Sequence, residues 1–555
     1  MPDRGRRGRS RRFAAFESAI AAFGLVALLA VLASFVVPSI VGLARAFVPG
    51  VPTPTGAPSL NGRILRALRF TVVEAAFSAL LALAVGLPGA WLVARRDFCG
   101  RRFLLSLSGV PLCVPPAIVA LAFVLFFGRS GVVNDALMRL FGLSEPPIGA
   151  LYSLAGIVVA HGFYNFPVAL RTISRAWERV PREESEAALV LGATRFRAFR
   201  TVVLPRLAGS ILSSAALVYL YCFFSFVIIL LLGGPGGTTL EVELYQAARS
   251  DLDFARAGLI ALVEVAAAVP VVLLYAASQA RVGHEIGPAA LSPPRARLSG
   301  LTERACAAGY LFLVGVFLVG PLASVVVRSF ARSDGAGLSL AAWGRFLSRP
   351  SFLPALATTC LVGVFAAILS TAAGFFLVAA GALSPPRARA TIAHPFADRA
   401  VPLLPLAISS VILGFGWTLL VPRGNILVLV LAQSALAWPF AWAQARAAVD
   451  RVPRPVVEVA LVCSRGRADA AIRVLLPATS RSLLSGAALV FAISAGEASL
   501  PLVLSIDGLE TLSLLLFRLA GSYRFAEASA AATVVALLSA SVFLFQDAER
   551  KRSVS

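Results

Sequence analysis

Lysine is nearly missing: of the 50 basic side chains only Lys551, near the C-terminus, is a lysine. A glycine-rich phosphate loop closing on Gly-Lys-Ser/Thr is thereby excluded, and with it a conventional ATPase within this chain. Histidine is scarce as well, at three residues (His161, His284, His394), and the six cysteines include no Cys-x-x-Cys pair. Neither a disulfide framework nor a His/Cys metal cluster is suggested by that spacing. Charge of any sign is thin. Only 14% of 555 residues are charged against 58% apolar, whereas a soluble domain carries about a quarter charged residues. Such a chain is neither disordered nor a soluble globule. The net charge of +22 is not set in a polar basic domain, which argues against nucleic-acid binding.

What is present is a succession of apolar runs, near 14–37, 68–94, 103–127, 148–170, 207–232, 257–280, 305–327, 353–382, 400–421, 425–445, 482–505 and 528–546. Each is long enough to cross the ~30 Å hydrocarbon layer as a helix. The fold class expected is therefore all-α and polytopic, with about twelve membrane helices. Placing the N-terminus inside puts 35 of the 50 basic residues in the N-tail, the segments 95–102, 171–206, 281–304, 387–399 and 446–481, and the C-tail. This positive-inside bias predicts both termini in the cytoplasm. The first run is too long for a typical signal-peptide core and is read as a retained anchor.

The two halves repeat one another. Arg179-Val180-Pro181, Glu186-Ala187-Ala188, Gly192 and Leu204-Pro205 are answered by Arg451-Val452-Pro453, Glu458-Val459-Ala460, Ser464 and Leu476-Pro477, every pair 272 positions apart. Thr239-Leu240 and Thr511-Leu512 share that offset, and Gly86 matches Gly374 at 288. Both copies run in the same direction through six spans, which makes a parallel tandem repeat. The organisation expected is a basic tail (1–13), a first repeat (14–280), a linker (281–304), a second repeat (305–546) and a tail (547–555).

Each motif reads as two short helices in a cytoplasmic loop between the fourth and fifth spans. Pro181 with Glu183, Glu184 and Glu186 suits a helix start, Gly192 its end, and Thr194 the cap of the next helix. That second helix carries Phe196, Phe199 and Val203 on one face, answered by Ala468, Ala471 and Leu475, at the three- and four-residue spacing of an amphipathic helix. Such a face either rests on lipid headgroups or docks a partner, and its duplication favours docking.

These residues resemble the permease subunits of binding-protein-dependent ABC importers, whose signature is Glu-Ala-Ala, three residues, Gly, then a hydrophobic-Pro pair. Glu186, Ala187, Ala188, Gly192 and Pro205 fit it; Glu458, Ala460 and Pro477 fit the second copy, which departs at Val459 and Ser464. The chain is similar to the fused twelve-helix members that handle thiamine or ferric iron. The closer likeness is to the thiamine and thiamine-pyrophosphate class, through Phe127-Gly128-Arg129-Ser130-Gly131, Ala160 to Pro167, Gly234-Pro235, Thr238 to Glu241, Leu244 to Ala247 and Gly521-Ser522-Tyr523-Arg524. The resemblance implies a multi-pass bacterial inner-membrane permease that is not itself an enzyme and binds no cofactor. ATP and Mg would be held by a separate ATP-binding subunit, two copies per chain, docked on the loops around Glu186 and Glu458. An extracytoplasmic substrate-binding protein would dock opposite, with the acids Glu241, Glu243, Asp251 and Asp253 near that contact.

Ionisable residues inside spans default to functional candidates. Here they are Glu74, Glu264, His161 and above all Glu497, placed mid-span in the eleventh helix. A cationic substrate suits a carboxylate flanked by aromatic faces, which Tyr164, Tyr219, Tyr221, Trp417 and Trp438 supply. Asn165 stands one helical turn from His161. The alternative for each is a buried helix-to-helix hydrogen bond. A secondary transporter, the main rival class, also uses twelve helices in two halves, but has no need of paired docking loops.

Overall fold

A computed structural model of the chain describes residues 3–48, 60–107, 114–234, 237–284, 295–331, 337–384 and 401–552. Pro235, Gly236, part of the linker (285–294), the basic segment 387–399 and the side chains of the two tails lie outside the described residues. Among the described residues the fold is helical, apart from two short pairings: a two-residue parallel one of Arg96–Asp97 with Ala296–Arg297, and an isolated bridge between Ala331 and Leu338. Among the described residues nine helices are long and apolar enough to cross a membrane. The other three expected spans fall on Leu154–Glu178, a 25-residue helix made more polar by His161 and Asn165, and on the shorter Ser410–Leu420 and Phe525–Ser541.

Several expected spans are not continuous. The run 103–127 divides into Arg101–Leu107 and a helix that starts afresh at Pro116, where the missing N–H costs nothing in a first turn. The runs 207–232 and 482–505 each break near their ends. Leu204–Phe223 stops before Ser225 and resumes as Val227–Leu232, while Leu476–Gly496 stops at Glu497 and resumes as Ser499–Leu504. Ser225 and Glu497 are 272 positions apart, so both repeats are interrupted at the same place.

The described chain forms two compact units. One holds Ala44–Arg349 with Leu515–Val534, the other Met1–Leu43 with Pro350–Leu514 and Val535–Ser555. In the first, Leu60–Arg95 lies against Leu154–Glu178 and Leu204–Phe223. In the second, Phe352–Ala382 lies in the same way against Ile426–Val449 and Leu476–Gly496. The matched glycines mark these crossings. A Cβ on Gly86 would stand 2.8 Å from that of Ala169 and 3.1 Å from the Leu170 nitrogen; one on Gly374 would stand 2.9 Å from the Trp442 nitrogen. Leu170 and Trp442 are themselves a repeat pair. Backbone cannot retreat as a flexible side chain can, so Gly86→Val and Gly374→Val are each expected to destabilise the protein by about 1–3 kcal/mol. Thermal unfolding in detergent checks this, and unchanged midpoints would show that the helices can separate.

A second matched pair sits where short helices begin inside each unit. The N–H of Leu240 donates to Thr71 Oγ1 at 3.0 Å, and that of Leu512 to Thr359 Oγ1 at 2.9 Å. With no water in the hydrocarbon layer, a helix N-terminus has to find its acceptors within the protein.

The first helix of each repeat is built into the unit formed mainly by the other. Ser34 Oγ donates to the Leu431 carbonyl, and Gly416 lets the chain pass close to the Pro38 carbonyl. In the other unit Ser324 Oγ donates to the Ala122 carbonyl, while Phe317 stacks on Phe127 and Phe163 at 5.3 and 4.2 Å between ring centres.

Candidate functional site

The first motif forms a free-standing helix, Arg182–Val190, entered at Pro181 with Glu183 and Glu184 in its first turn. Gly192, at φ +87°, turns the chain, a conformation that a Cβ disfavours. The next segment is not a separate short helix as expected. Thr194 caps Arg195–Ala198, which passes through a wide turn at Phe199–Val203 into Leu204–Phe223. The N–H of Leu204 donates five residues back to Phe199, a π-type bulge. Pro205 has no N–H to continue the regular ladder, which accounts for the local widening. The second copy repeats the device at Ala471–Leu475 ahead of Pro477, again 272 positions on. It differs at the preceding turn: Ser464 is extended (φ −92°, ψ 154°), so the chain leaves Arg454–Cys463 without a left-handed residue.

The exposed apolar surface is not the predicted stripe. Phe199 stacks on Trp177 at 5.9 Å and Val203 is buried in the unit's own core, as are Ala471 and Leu475 in the second copy. What faces outward is the far end of the first helix: Val190 and Leu191 are 87% and 88% exposed, with Phe196 beside them at 72%. Val462, at 85%, is the counterpart end of the second. Glu184 pairs with Arg206 at 2.5 Å, tying the first helix to the start of the span.

Inside the first unit the structure brings together residues far apart in sequence. His161 Nδ1 lies 2.5 Å from Glu74 Oε1, and Nε2 lies 2.8 Å from Ser225 Oγ. Ser78 Oγ donates to the same Glu74 oxygen at 2.7 Å, and Asn165 Nδ2 donates to the His161 carbonyl and to Cys222 Sγ. All are buried, and Glu74 Oε2 is without a partner among the described residues. Cys222 joins Glu74 and His161 as a possible ligand set, every donor atom within 4.8 Å of the others, a grouping that sequence spacing did not reveal. Both histidine nitrogens are nevertheless committed to side chains, so the cluster closes on itself through hydrogen bonds. The matching positions of the second repeat hold a neutral pair, Ser494 Oγ donating to Gln433 Oε1. Gln433 answers His161 and Ser494 answers Cys222 at offset 272, while Val362 answers Glu74 at 288.

Glu497 is not mid-helix. Its Oε1 accepts from the N–H groups of Ser499 at 2.7 Å and Leu500 at 3.1 Å, capping the short helix that follows the break. Glu497→Ala should therefore cost about 1 kcal/mol while Glu497→Gln, which keeps an acceptor, costs little; equal unfolding midpoints for both would remove the capping role. Tyr164 donates to the Val114 carbonyl, and Trp438 packs among Val31 and Ala373 at 3% exposure. Glu264 and Glu241 are fully buried neighbours, which takes Glu241 off any docking surface. Glu243 and Asp251 pair with Arg256, whose N–H also bonds Asp253.

The two tandem helical repeats are matched separately by one family model. The model for the binding-protein-dependent transport system inner membrane component matches residues 86–286 and again 372–553. The chain belongs to this family. Among curated proteins, the permease is 30% identical over 507 residues to the thiamine transport system permease protein of Brucella abortus (strain 2308), covering 88% of this chain and 89% of the relative. It is 28% identical over 487 residues to the protein of the same description from Escherichia coli (strain K12), covering 85% and 86%. A putative 2-aminoethylphosphonate transport system permease protein of Salmonella typhi is 28% identical over 221 residues, 40% of this permease and 76% of that one. Thr71, Cys222 and Gln433, which sequence reading did not single out as site residues, each have a repeat partner at a fixed offset: Thr359, Ser494 and His161.

Proposed function

We propose that this permease carries thiamine or thiamine pyrophosphate inward by alternating access, driven by a separate ATP-binding subunit. The observation that carries the substrate is likeness along nearly the whole chain to relatives described as thiamine transport permeases. Two copies of the ATPase, holding ATP and Mg, dock on the loops at Glu186 to Gly192 and Glu458 to Ser464; both termini face the cytoplasm, and a substrate-binding protein docks on the opposite side. The apolar end at Val190 and Leu191, with no cover from its own unit, supports the docking. A thiazolium cation passing the hydrocarbon layer needs negative and aromatic neighbours, for which Glu74, His161, Tyr164, Asn165, Trp438 and Glu497 are the candidates.

The experiment is ATP hydrolysis in liposomes holding the permease with the ATPase and binding protein encoded beside it, challenged with thiamine, thiamine pyrophosphate, ferric ion and 2-aminoethylphosphonate. Stimulation by a thiamine compound alone is expected. Stimulation by ferric ion or the phosphonate alone overturns the substrate, and uptake that survives ATP depletion but collapses with an uncoupler overturns the mechanism.

A further inference from the structure

We propose that Glu178 is a positioning residue that fastens the first coupling loop to the chain joining the two repeats, so that displacement of the loop is passed to the first helix of the second repeat. The inference rests on the coupling-loop reading above. Glu178 ends the helix that leads into Val180 and Pro181. Its Oε1 accepts from two arginines on different segments: Arg101 at 3.1 Å, at the start of the short helix after the second span, and Arg295 at 2.9 Å, from the chain between the repeats. Arg95 donates to the Val180 carbonyl at 2.9 Å, one residue before Pro181. The same two segments pair as parallel strands, Arg96 opposite Ala296 and Asp97 opposite Arg297. Arg96 then reaches Glu303 at 2.6 Å, and Glu303 accepts from the Ser299 N–H at 3.0 Å, binding the start of Gly300–Val314. Loop root, strand pair and helix start thus form one chain of contacts inside a single unit.

The counterpart of Glu178 is Asp450, 61% exposed, whose ion pair among the described residues is with Arg446 on its own helix. An exposed pair four residues apart on one helix holds nothing across elements and is worth little. Among the described residues, the first loop is thus tied to the start of the second repeat's leading helix.

The test uses the full permease assembled with its ATPase and binding protein, carrying spin labels at the exposed positions Arg195 and Leu301. In the unaltered background one narrow distance, the same without nucleotide and with ATP, is expected. Glu178→Gln should broaden it and, in liposomes, lower thiamine uptake per ATP hydrolysed about fivefold with ATPase co-elution intact. Asp450→Asn should change neither. A charge-reversed pair, Glu178→Arg with Arg295→Glu, should recover the narrow distance. A distance that already shifts with ATP in the unaltered background would overturn the proposal. So would an unchanged distribution in Glu178→Gln, or loss of ATPase co-elution in it, which would make Glu178 part of docking instead. Failure of the docking reading would show separately, as co-elution that survives charges placed on Val190 and Leu191.

Discussion

Replacing Val190 and Leu191 together with aspartate is expected to abolish co-elution of the ATPase subunit while leaving the permease folded. Both side chains are almost wholly exposed and touch nothing that the fold depends on, and substitutions at such places usually change stability by less than about 0.5 kcal/mol. If a partner covers them, each contributes about 1.5–3 kcal/mol of apolar burial. Losing both, with two carboxylates left buried at the interface, weakens binding by at least about a hundredfold. The effect should be smaller for Val462→Asp, since the second loop presents a single residue of comparable exposure. Affinity measured between purified permease and ATPase decides the matter. Unchanged affinity with normal unfolding would mean that these residues meet lipid headgroups rather than a protein.

His161→Ala is expected to be the most destabilising single change in the first unit. It leaves Glu74 fully buried with, among the described residues, Ser78 alone to answer it, and stranding a buried polar group costs about 1–3 kcal/mol beside the cavity that the lost ring leaves. The repeat supplies the compensating variant. The second copy has Gln433 and Val362 where the first has His161 and Glu74, so Glu74→Val with His161→Gln exchanges an ionisable pair for chemistry the same architecture already uses. That double variant should recover most of the stability lost by either single change, giving a strongly non-additive cycle. Unfolding midpoints and yields of the four proteins check it. If the double variant transports as well as the unaltered protein, the pair serves the fold; if it is stable but inactive, the pair lies on the substrate's route.

The fold was legible because apolar runs of membrane length and a fixed repeat offset are carried by composition alone. The matched crossing glycines, the left-handed Gly192 and the Thr194 cap follow from single residues with strong local preferences. Interruptions were not legible. Nothing in Leu476 to Leu504 looks like a break, because Glu497 supplies from its side chain the acceptor that keeps the short helix closed, and an acid in an apolar run reads equally as a ligand. The stripe at Phe196, Phe199 and Val203 misled for a related reason: amphipathic spacing shows that a face will be covered, without saying whether the protein covers it itself. Here Trp177 does so for Phe199. The buried cluster was half visible: the ionisable members Glu74 and His161 stood out, while nothing local marked Cys222 and Ser225 as their neighbours.

Because each repeat's leading helix is built into the unit made mostly by the other, the order of synthesis matters. A ribosome that has passed Arg349 has made most of one unit, yet that unit still lacks residues 515–534, and residues 1–43 are already waiting for partners that begin at Pro350. Neither unit can close until nearly the whole chain has emerged. Halves expressed from separate messages would meet the same obstacle, each holding a helix that belongs with the other's product. Covalent fusion removes it by keeping the waiting helix at high local concentration beside its eventual neighbours.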